Sequence, residues 1–257
     1  MPDTPLSGSV IAITRPIEQS HTLAELISAQ GGTPLLFPLL AIAPLPDYSV
    51  FDAHIDQFVD ADWAIFISSN AVQQAMPRVL HRFPTLPSRL RFAAIGPSTA
   101  AELQKFGVGS VLIPQDRHDS EHLLALPEMQ TVAGKRVTIF RGVGGRELLA
   151  EILNARGATV QFAECYQRVN PQHDAGDLPR LWQNKQLHAV VVTSSEALRN
   201  LLDLASDAEW LRNTLICVNH ARIAELAQRN GLQVAVSDAP GDEGMLNCLI
   251  KHTRQVP

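Results

Sequence analysis

Apolar residues recur along this chain in two alternating rhythms. Short apolar runs, often β-branched, give way to a polar or glycine-bearing turn. Segments follow in which apolar residues return every three or four positions. The first rhythm is that of buried strands, the second that of amphipathic helices. Residues 9–14, 64–67, 91–95, 111–113, 137–140, 160–166, 189–192, 215–218 and 234–236 read as strands. Helical faces carry Leu23, Leu26 and Ile27; Val72, Met76, Val79 and Leu80; Leu103; and Leu123 with Leu124. Later faces carry Leu148, Leu149, Ile152 and Leu153; Leu198, Leu201 and Leu202; Ile223 and Leu226; and Met245, Leu246 and Leu249. Gly31-Gly32, Gly107, Gly157 and Asn230-Gly231 stand where such helices close. Pro77 is expected to shorten or kink its helix. Residues 34–42 form a further apolar stretch broken by Pro38, with Pro44 and Pro46 behind it.

The order repeats. IAITR at 11–15 lines up with VTIFR at 137–141, so Arg15 matches Arg141. AIFISSN at 64–70 lines up with AVVVTSS at 189–195, and AAELQKFG at 100–107 resembles IAELAQRNG at 223–231. Regular strand–turn–helix alternation implies α/β architecture with parallel sheets and covering helices. The repeat implies two similar parallel-sheet α/β domains. Taken alone, it pairs the first quarter of the chain with the second and the third with the fourth.

In such sheets functional groups collect at the carboxyl ends of strands. Here those ends carry Arg15; Ser68, Ser69 and Asn70; Thr99 behind Gly96-Pro97; Arg141, Gly142, Gly144, Gly145 and Arg146; Thr193, Ser194 and Ser195; and Asn219-His220. Ser120, behind Asp119, opens a further helix. The set is rich in N–H groups and hydroxyls and holds few full charges. Helix starts of this kind are anion sites. Each feature also has a purely structural reading. Hydroxyls cap helices with or without a ligand, strand-end arginines can be solvated, and Arg146 can pair with a glutamate of its own helix. His220 could donate to a carboxylate or serve structure alone. The turn at 142–145 does not meet the dinucleotide fingerprint G-x-G-x-x-G, since residue 147 is Glu, and no acidic ribose-binding residue follows. No G-x-S-x-G elbow surrounds the serines, which argues against a serine nucleophile.

Composition narrows the classes. A chain of 257 residues, 46% apolar, suits one large or two medium domains with packed cores. The net charge is −5 and the 21 Lys and Arg are spread evenly, so no nucleic-acid partner is expected. No apolar run approaches the length of about 18 residues that would mark a membrane span. The start, MPDTPLSGSV, lacks the features of a signal peptide, and a cytoplasmic location is expected. Cys165, Cys217 and Cys248 form no C-x-x-C pair and read as reduced, buried residues. The histidines include no H-E-x-x-H pattern, and no metal site is expected.

Several short motifs stand in a telling order: ITRP at 13–16, PLLAIAPL at 38–45, ISSNAV at 67–72, AIGPSTAAEL at 94–103, RGVGGREL at 141–148, ECYQR at 164–168 and VVTSSEAL at 191–198. In sequence and spacing together, over essentially the whole chain, they resemble the uroporphyrinogen-III synthase family, bacterial type. The resemblance implies a discontinuous first domain, residues 1–37 plus 170–257, and a second at 44–163. Segments 38–43 and 164–169 would be extended linkers joining the two. It implies a lyase that cyclises hydroxymethylbilane, a linear tetrapyrrole, with loss of water and inversion of ring D. No metal and no organic cofactor are implied. The partners would be that substrate and, transiently, the enzyme preceding it in the pathway, with no nucleic acid and no membrane. Tyr166 matches the family's linker tyrosine. Its hydroxyl would act catalytically by donating to the departing hydroxyl; the other reading is a packing residue in a linker strand. The strand-end groups named above would bind the substrate's carboxylates. The alternative function is a two-domain small-anion binding or sensor protein without catalysis.

Overall fold

The computed structural model describes residues 4–205 and 208–253. The chain divides into two compact units, one made of the stretch up to Ala41 and from Val169 onward, the other of Ile42–Arg168. It opens with β1 (Val10–Ile13), α1 (His21–Ala29) and β2 (Thr33–Leu36). Then follow β3 (Ala41–Ala43), α2 (Ser49–Asp56), β4 (Trp63–Phe66), α3 (Ser69–Arg82), β5 (Arg91–Ala94) and α4 (Pro97–Lys105). Next come β6 (Val111–Leu112), α5 (Ser120–Ala125), α6 (Pro127–Gln130), β7 (Arg136–Gly142), α7 (Leu148–Ala155) and β8 (Thr159–Val169). The chain returns to the first unit through α8 (Leu178–Gln183), β9 (Leu187–Val192), α9 (Ser195–Ala205) and α10 (Glu209–Arg212). It finishes with β10 (Leu215–Val218), α11 (Ala221–Arg229), β11 (Gln233–Val236) and α12 (Gly241–Thr253).

The first unit holds a five-stranded sheet ordered β11-β10-β9-β1-β2, in which neighbours run parallel. The second holds a six-stranded sheet ordered β3-β8-β7-β4-β5-β6, parallel from β8 through β6. Chain order reverses between β1 and β9 in one sheet and between β7 and β4 in the other. At such a reversal successive helices leave for opposite faces and a crevice opens at the strands' carboxyl ends.

Both faces of both sheets are covered, which is why the strands read as nearly continuous apolar runs. In the first unit, Leu198, Leu201, Ile223 and Ala227 of α9 and α11 cover Val190, Val192, Ile216 and Val218. Leu23, Ile27, Met245 and Leu249 of α1 and α12 cover Ile11, Ile13, Val191 and Cys217 on the other face. In the second unit, Phe51 and Ile55 of α2, Val72 and Met76 of α3, and Leu103 of α4 pack over Phe66 and Phe140. Leu123 and Leu124 of α5 and Leu149 and Leu153 of α7 pack over Ile65, Val137 and Ile139.

Two expectations need amendment. Pro77 does not end its helix, since α3 runs without interruption from Ser69 to Arg82. Met76 and Val79, fully buried on either side of it, hold the segment helical despite the missing N–H. Four short helices, α2, α6, α8 and α10, add to the elements that the sequence predicts. Phe51 and Ile55, four residues apart and buried, were the legible trace of α2. Among the described residues no helix is long and apolar enough to cross a membrane.

Phe140 is the centre of the second unit's larger core. Its ring stacks on Phe66 at 4.3 Å between centroids and takes the edge of Phe58 at 5.5 Å. Phe140→Ala is expected to cost about 3–5 kcal/mol, read as an earlier urea midpoint for the second unit. A loss under about 1 kcal/mol would mean that this core collapses around the gap.

Candidate functional site

The second unit's switch point lies between β4 and β7, where Phe66 faces Phe140. One residue on, the Ile67 N–H donates to the Phe140 carbonyl at 3.3 Å. Ser68 then leaves the strand in extended conformation and caps α3, its Oγ accepting from the Ala71 N–H at 3.1 Å. Ser is favoured there because its side chain satisfies an N–H that the helix cannot.

On the far side of β7, strand β8 keeps register until Arg141 faces Glu164, and then Gly142 faces Tyr166. Cys165 is the extra residue of a β-bulge. Regular alternation would send Cys165 and Tyr166 to opposite faces. With the bulge both enter the same core, and Tyr166 is 1% exposed. The Tyr166 ring then lies across β7 at Gly142. A Cβ on Gly142 would stand 2.6 Å from the ring's Cε2 and 2.7 Å from its Cζ. Past the glycine, the Tyr166 Oη comes to 3.3 Å from the Ser68 Oγ. Three adjacent strands are thereby linked at their carboxyl ends: β8 through its tyrosine, β7 through its glycine, and β4 through the serine that follows it.

The glycine turn is tied to β8 at two points. The Val143 N–H donates to the Tyr166 carbonyl at 2.8 Å, and the Gly144 N–H to Glu164 Oε1 at 3.0 Å. Gly144 and Gly145 have φ of 71° and 106°, a region that glycine enters without strain. The same Glu164 oxygen accepts from Arg141 Nε at 3.3 Å and Nη2 at 3.0 Å. Arg141 is buried, its guanidinium 3.6 Å above the Phe162 ring, and its Nη1 has no partner. The Cys165 thiol donates to the Arg141 carbonyl at 3.2 Å, and burial pushes its pKa up to about 12.

The remaining strand-end residues of this unit surround that core. Ser69 and Asn70 open α3 and are half-buried, and Thr99 is buried in the first turn of α4. Ser120 opens α5 behind Asp119, whose carboxylate accepts from the His122 N–H at 2.8 Å. That N–H and the His122 side chain hold the Asp119 carboxyl below the usual range. Arg146 is exposed and pairs with Glu121 of α5 at 2.7 Å, a partner outside its own helix.

The first unit carries a matching arrangement at its own switch point. Arg15 follows β1, and Ser194 follows β9 and caps α9, accepting from the Ala197 N–H at 3.0 Å. Thr193 and Ser195 flank it, half-buried. Arg15 is bonded to Asp242 in the first turn of α12. Neither repeat-related arginine is therefore a freely solvated strand-end cation. His220 is exposed at the N-cap of α11 and makes no side-chain capping bond, while the neighbouring Asn219 Oδ1 is buried without a partner. Among the described residues no group of three His, Cys, Asp or Glu is placed to hold a metal ion.

Two carboxylates escaped the reading of strand ends. Glu164 carried a faint signal, since it stands two residues before Tyr166 on one strand. Asp242 carried none, as it lies 227 residues from Arg15 in the chain. Taken together, each sheet edge offers helix N-termini and capped hydroxyls, with its strand-end arginine already neutralised. The second edge adds a tyrosine hydroxyl held against a serine.

Comparison with known proteins gives a consistent result. The family described as uroporphyrinogen-III synthase HemD matches residues 21–247. The uroporphyrinogen-III synthase of Escherichia coli is 36% identical over 247 residues, covering 93% of this chain and 99% of its own. That of Salmonella typhimurium is 35% identical over 243 residues, with 93% and 99% covered. Among solved structures, a mutant uroporphyrinogen III synthase from Thermus thermophilus superposes with a TM-score of 0.62 at 17% identity, covering 96% of this chain and 99% of that one. At that identity the likeness speaks for the two-domain α/β fold.

Two outcomes test the geometry. Gly142→Ala is expected to cost about 1–3 kcal/mol in denaturant unfolding, because the Tyr166 ring must give way. Stability equal to the parent's would show that the ring is not held there. Cys165 is expected to resist iodoacetamide in the folded protein at pH 8. With a pKa of about 12 its thiolate is scarce at that pH and gains only as pH rises. Rapid native-state alkylation at Cys165, mapped by mass spectrometry, would contradict this.

Proposed function

The chain belongs to the uroporphyrinogen-III synthase family, and from that premise we propose how its own residues close hydroxymethylbilane into uroporphyrinogen III. The enzyme is a lyase of porphyrin biosynthesis. The observation that carries the residue assignment is the Tyr166 hydroxyl, set at the second unit's switch point across Gly142.

In this reading Tyr166 is the catalytic proton donor. Its O–H donates to the hydroxyl leaving the bilane. The C–O bond breaks, the phenol proton departs with the oxygen as water, and an azafulvene cation remains. The substituted carbon of ring D attacks it, giving a spiro intermediate that fragments and recloses with ring D inverted. The proton released when the pyrrole regains aromaticity restores the phenol.

Binding falls to the helix starts. The substrate carries many acetate and propionate groups, while the protein has net charge −5, so bulk steering cannot attract it. Backbone N–H groups at Ser68–Asn70, at Thr193–Ser195 and at Gly145 and Arg146 meet carboxylates at short range instead. The arginines suit the cationic intermediate in the same way. Glu164 and Asp242 offset Arg141 and Arg15, so the edges present dipoles in place of bare cations. Thr99, Ser120, Arg146 and His220 complete the set proposed to border the substrate. Because the bilane also closes without inversion, holding one folded geometry is the larger part of the task. That instability also favours a cytoplasmic enzyme met transiently by the one that supplies the bilane.

The test is a product assay. Fresh hydroxymethylbilane is supplied to purified protein, and the oxidised type I and type III uroporphyrins are separated by chromatography. A large type III excess over a no-enzyme control is expected. Type I alone, at the spontaneous rate, from folded protein would overturn the reading. Tyr166→Phe is expected to lower kcat by about tenfold to a hundredfold, with KM held within about threefold, because positioning survives the loss.

A further inference from the structure

We propose that Ser68 is a positioning residue for Tyr166, whose hydroxyl it orients and whose oxygen it stabilises once the proton has left. The inference rests on Tyr166 as the proton donor. It goes beyond that reading by giving the phenol a partner and its charge a destination.

A serine hydroxyl has one proton to give and two lone pairs with which to accept. One lone pair of Ser68 takes the Ala71 N–H at 3.1 Å, which is the cap of α3. The proton is not needed for capping. The Tyr166 Oη lies 3.3 Å away, a loose contact of the kind that tightens when a substrate is bound. The phenol ring is held in place. The residue is 1% exposed, its ring lies against Gly142, and it hangs from a strand whose carbonyl at Tyr166 accepts from Val143.

With the phenol intact, either hydroxyl can donate to the other. Once the phenol's proton has gone to the leaving oxygen, the Tyr166 Oη can only accept. The Ser68 O–H then points at a phenolate, and a bond made to the charged form favours that form. Ser68 also sits at the N-terminus of α3, 14 residues long, whose partial positive charge acts in the same sense. The two effects share one residue because capping and donation use different parts of one hydroxyl.

Losing the cap costs little, so the loss of the donor can be read by mutation. Glycine is tolerated at an N-cap at a cost of only a few tenths of a kcal/mol, and the backbone at Ser68, with φ −162°, is extended and open to any residue. Ser68→Gly therefore keeps the helix while deleting the hydroxyl, its capping oxygen and its proton together. Ser68→Thr keeps both. Four proteins would be compared in initial-rate assays at matched folded concentration: Ser68→Gly, Ser68→Thr, Tyr166→Phe and the double variant Ser68→Gly/Tyr166→Phe. Ser68→Gly is expected to lose about tenfold in kcat, with KM within about twofold and an unchanged melting point. Ser68→Thr should retain kcat to within about threefold. The double variant should be no slower than Tyr166→Phe, since without the phenol there is no charge for Ser68 to meet. Losses that multiply in the double variant would overturn the proposal, as would a threonine variant as slow as glycine. These failures are separable from failure of the function itself. Parent protein that yields type III product, with Tyr166→Phe slowed but losses multiplicative, removes only the role of Ser68.

Discussion

The Tyr166 ring crosses strand β7 at the one place where that strand has no side chain. Cβ contacts of 2.6 and 2.7 Å leave room for a hydrogen and nothing larger, so Gly142 is required by packing as much as by turn geometry. The crossing has a second requirement. A regular β8 would alternate Cys165 and Tyr166 across the sheet, and only the bulge brings the tyrosine over β7. From these two conditions the neighbouring features follow. The Val143 N–H meets the tyrosine carbonyl, the Cys165 thiol is pressed into the core and kept protonated, and the phenol oxygen arrives beside the cap of α3. The site is thus a consequence of strand order. Strands β8, β7 and β4 must lie side by side, and they do so where the winding of the sheet reverses.

The charges at the edge follow a different logic. The substrate is a polyanion, yet the arginines at both strand ends are committed internally. Arg141 lies between a carboxylate and an aromatic face, and Arg15 is paired with Asp242. A bare cation beside an azafulvene would raise the energy of the intermediate, whereas fixed N–H dipoles bind carboxylates over a short range and fall away quickly with distance. The net acidic surface is consistent with this.

How far this was legible from the sequence depends on the distance over which each feature is encoded. Strand runs, helix faces and the serines at helix starts are local, and Ser68 and Ser194 cap where their residue types say they should. The parallel α/β class follows from the alternation alone. Pairings set by topology were out of reach. Ser68 and Tyr166 are 98 residues apart, and Arg15 and Asp242 are 227 apart. The bulge was hidden for another reason. Cys165 is an ordinary apolar residue in an apolar strand, and one extra residue leaves the composition of the run unchanged. Pro77 shows the reverse case, a strong local signal through which α3 continues, with Met76 and Val79 buried on either side.

The repeat sharpens what is special about the second edge. Each unit places a capping serine and an acid-paired arginine at its own switch point, Ser194 with Arg15 and Ser68 with Arg141. Anion-binding geometry is therefore duplicated. The tyrosine–serine contact is not, and the residue after each arginine differs too. After Arg141 the chain has Gly142, and after Arg15 it has Pro16. A proline carries ring atoms where the glycine carries none, so the close approach that Tyr166 makes at Gly142 has no counterpart there. A single tyrosine–serine contact is in keeping with the proposed reaction, in which many carboxylates are held while only one bond to oxygen is broken.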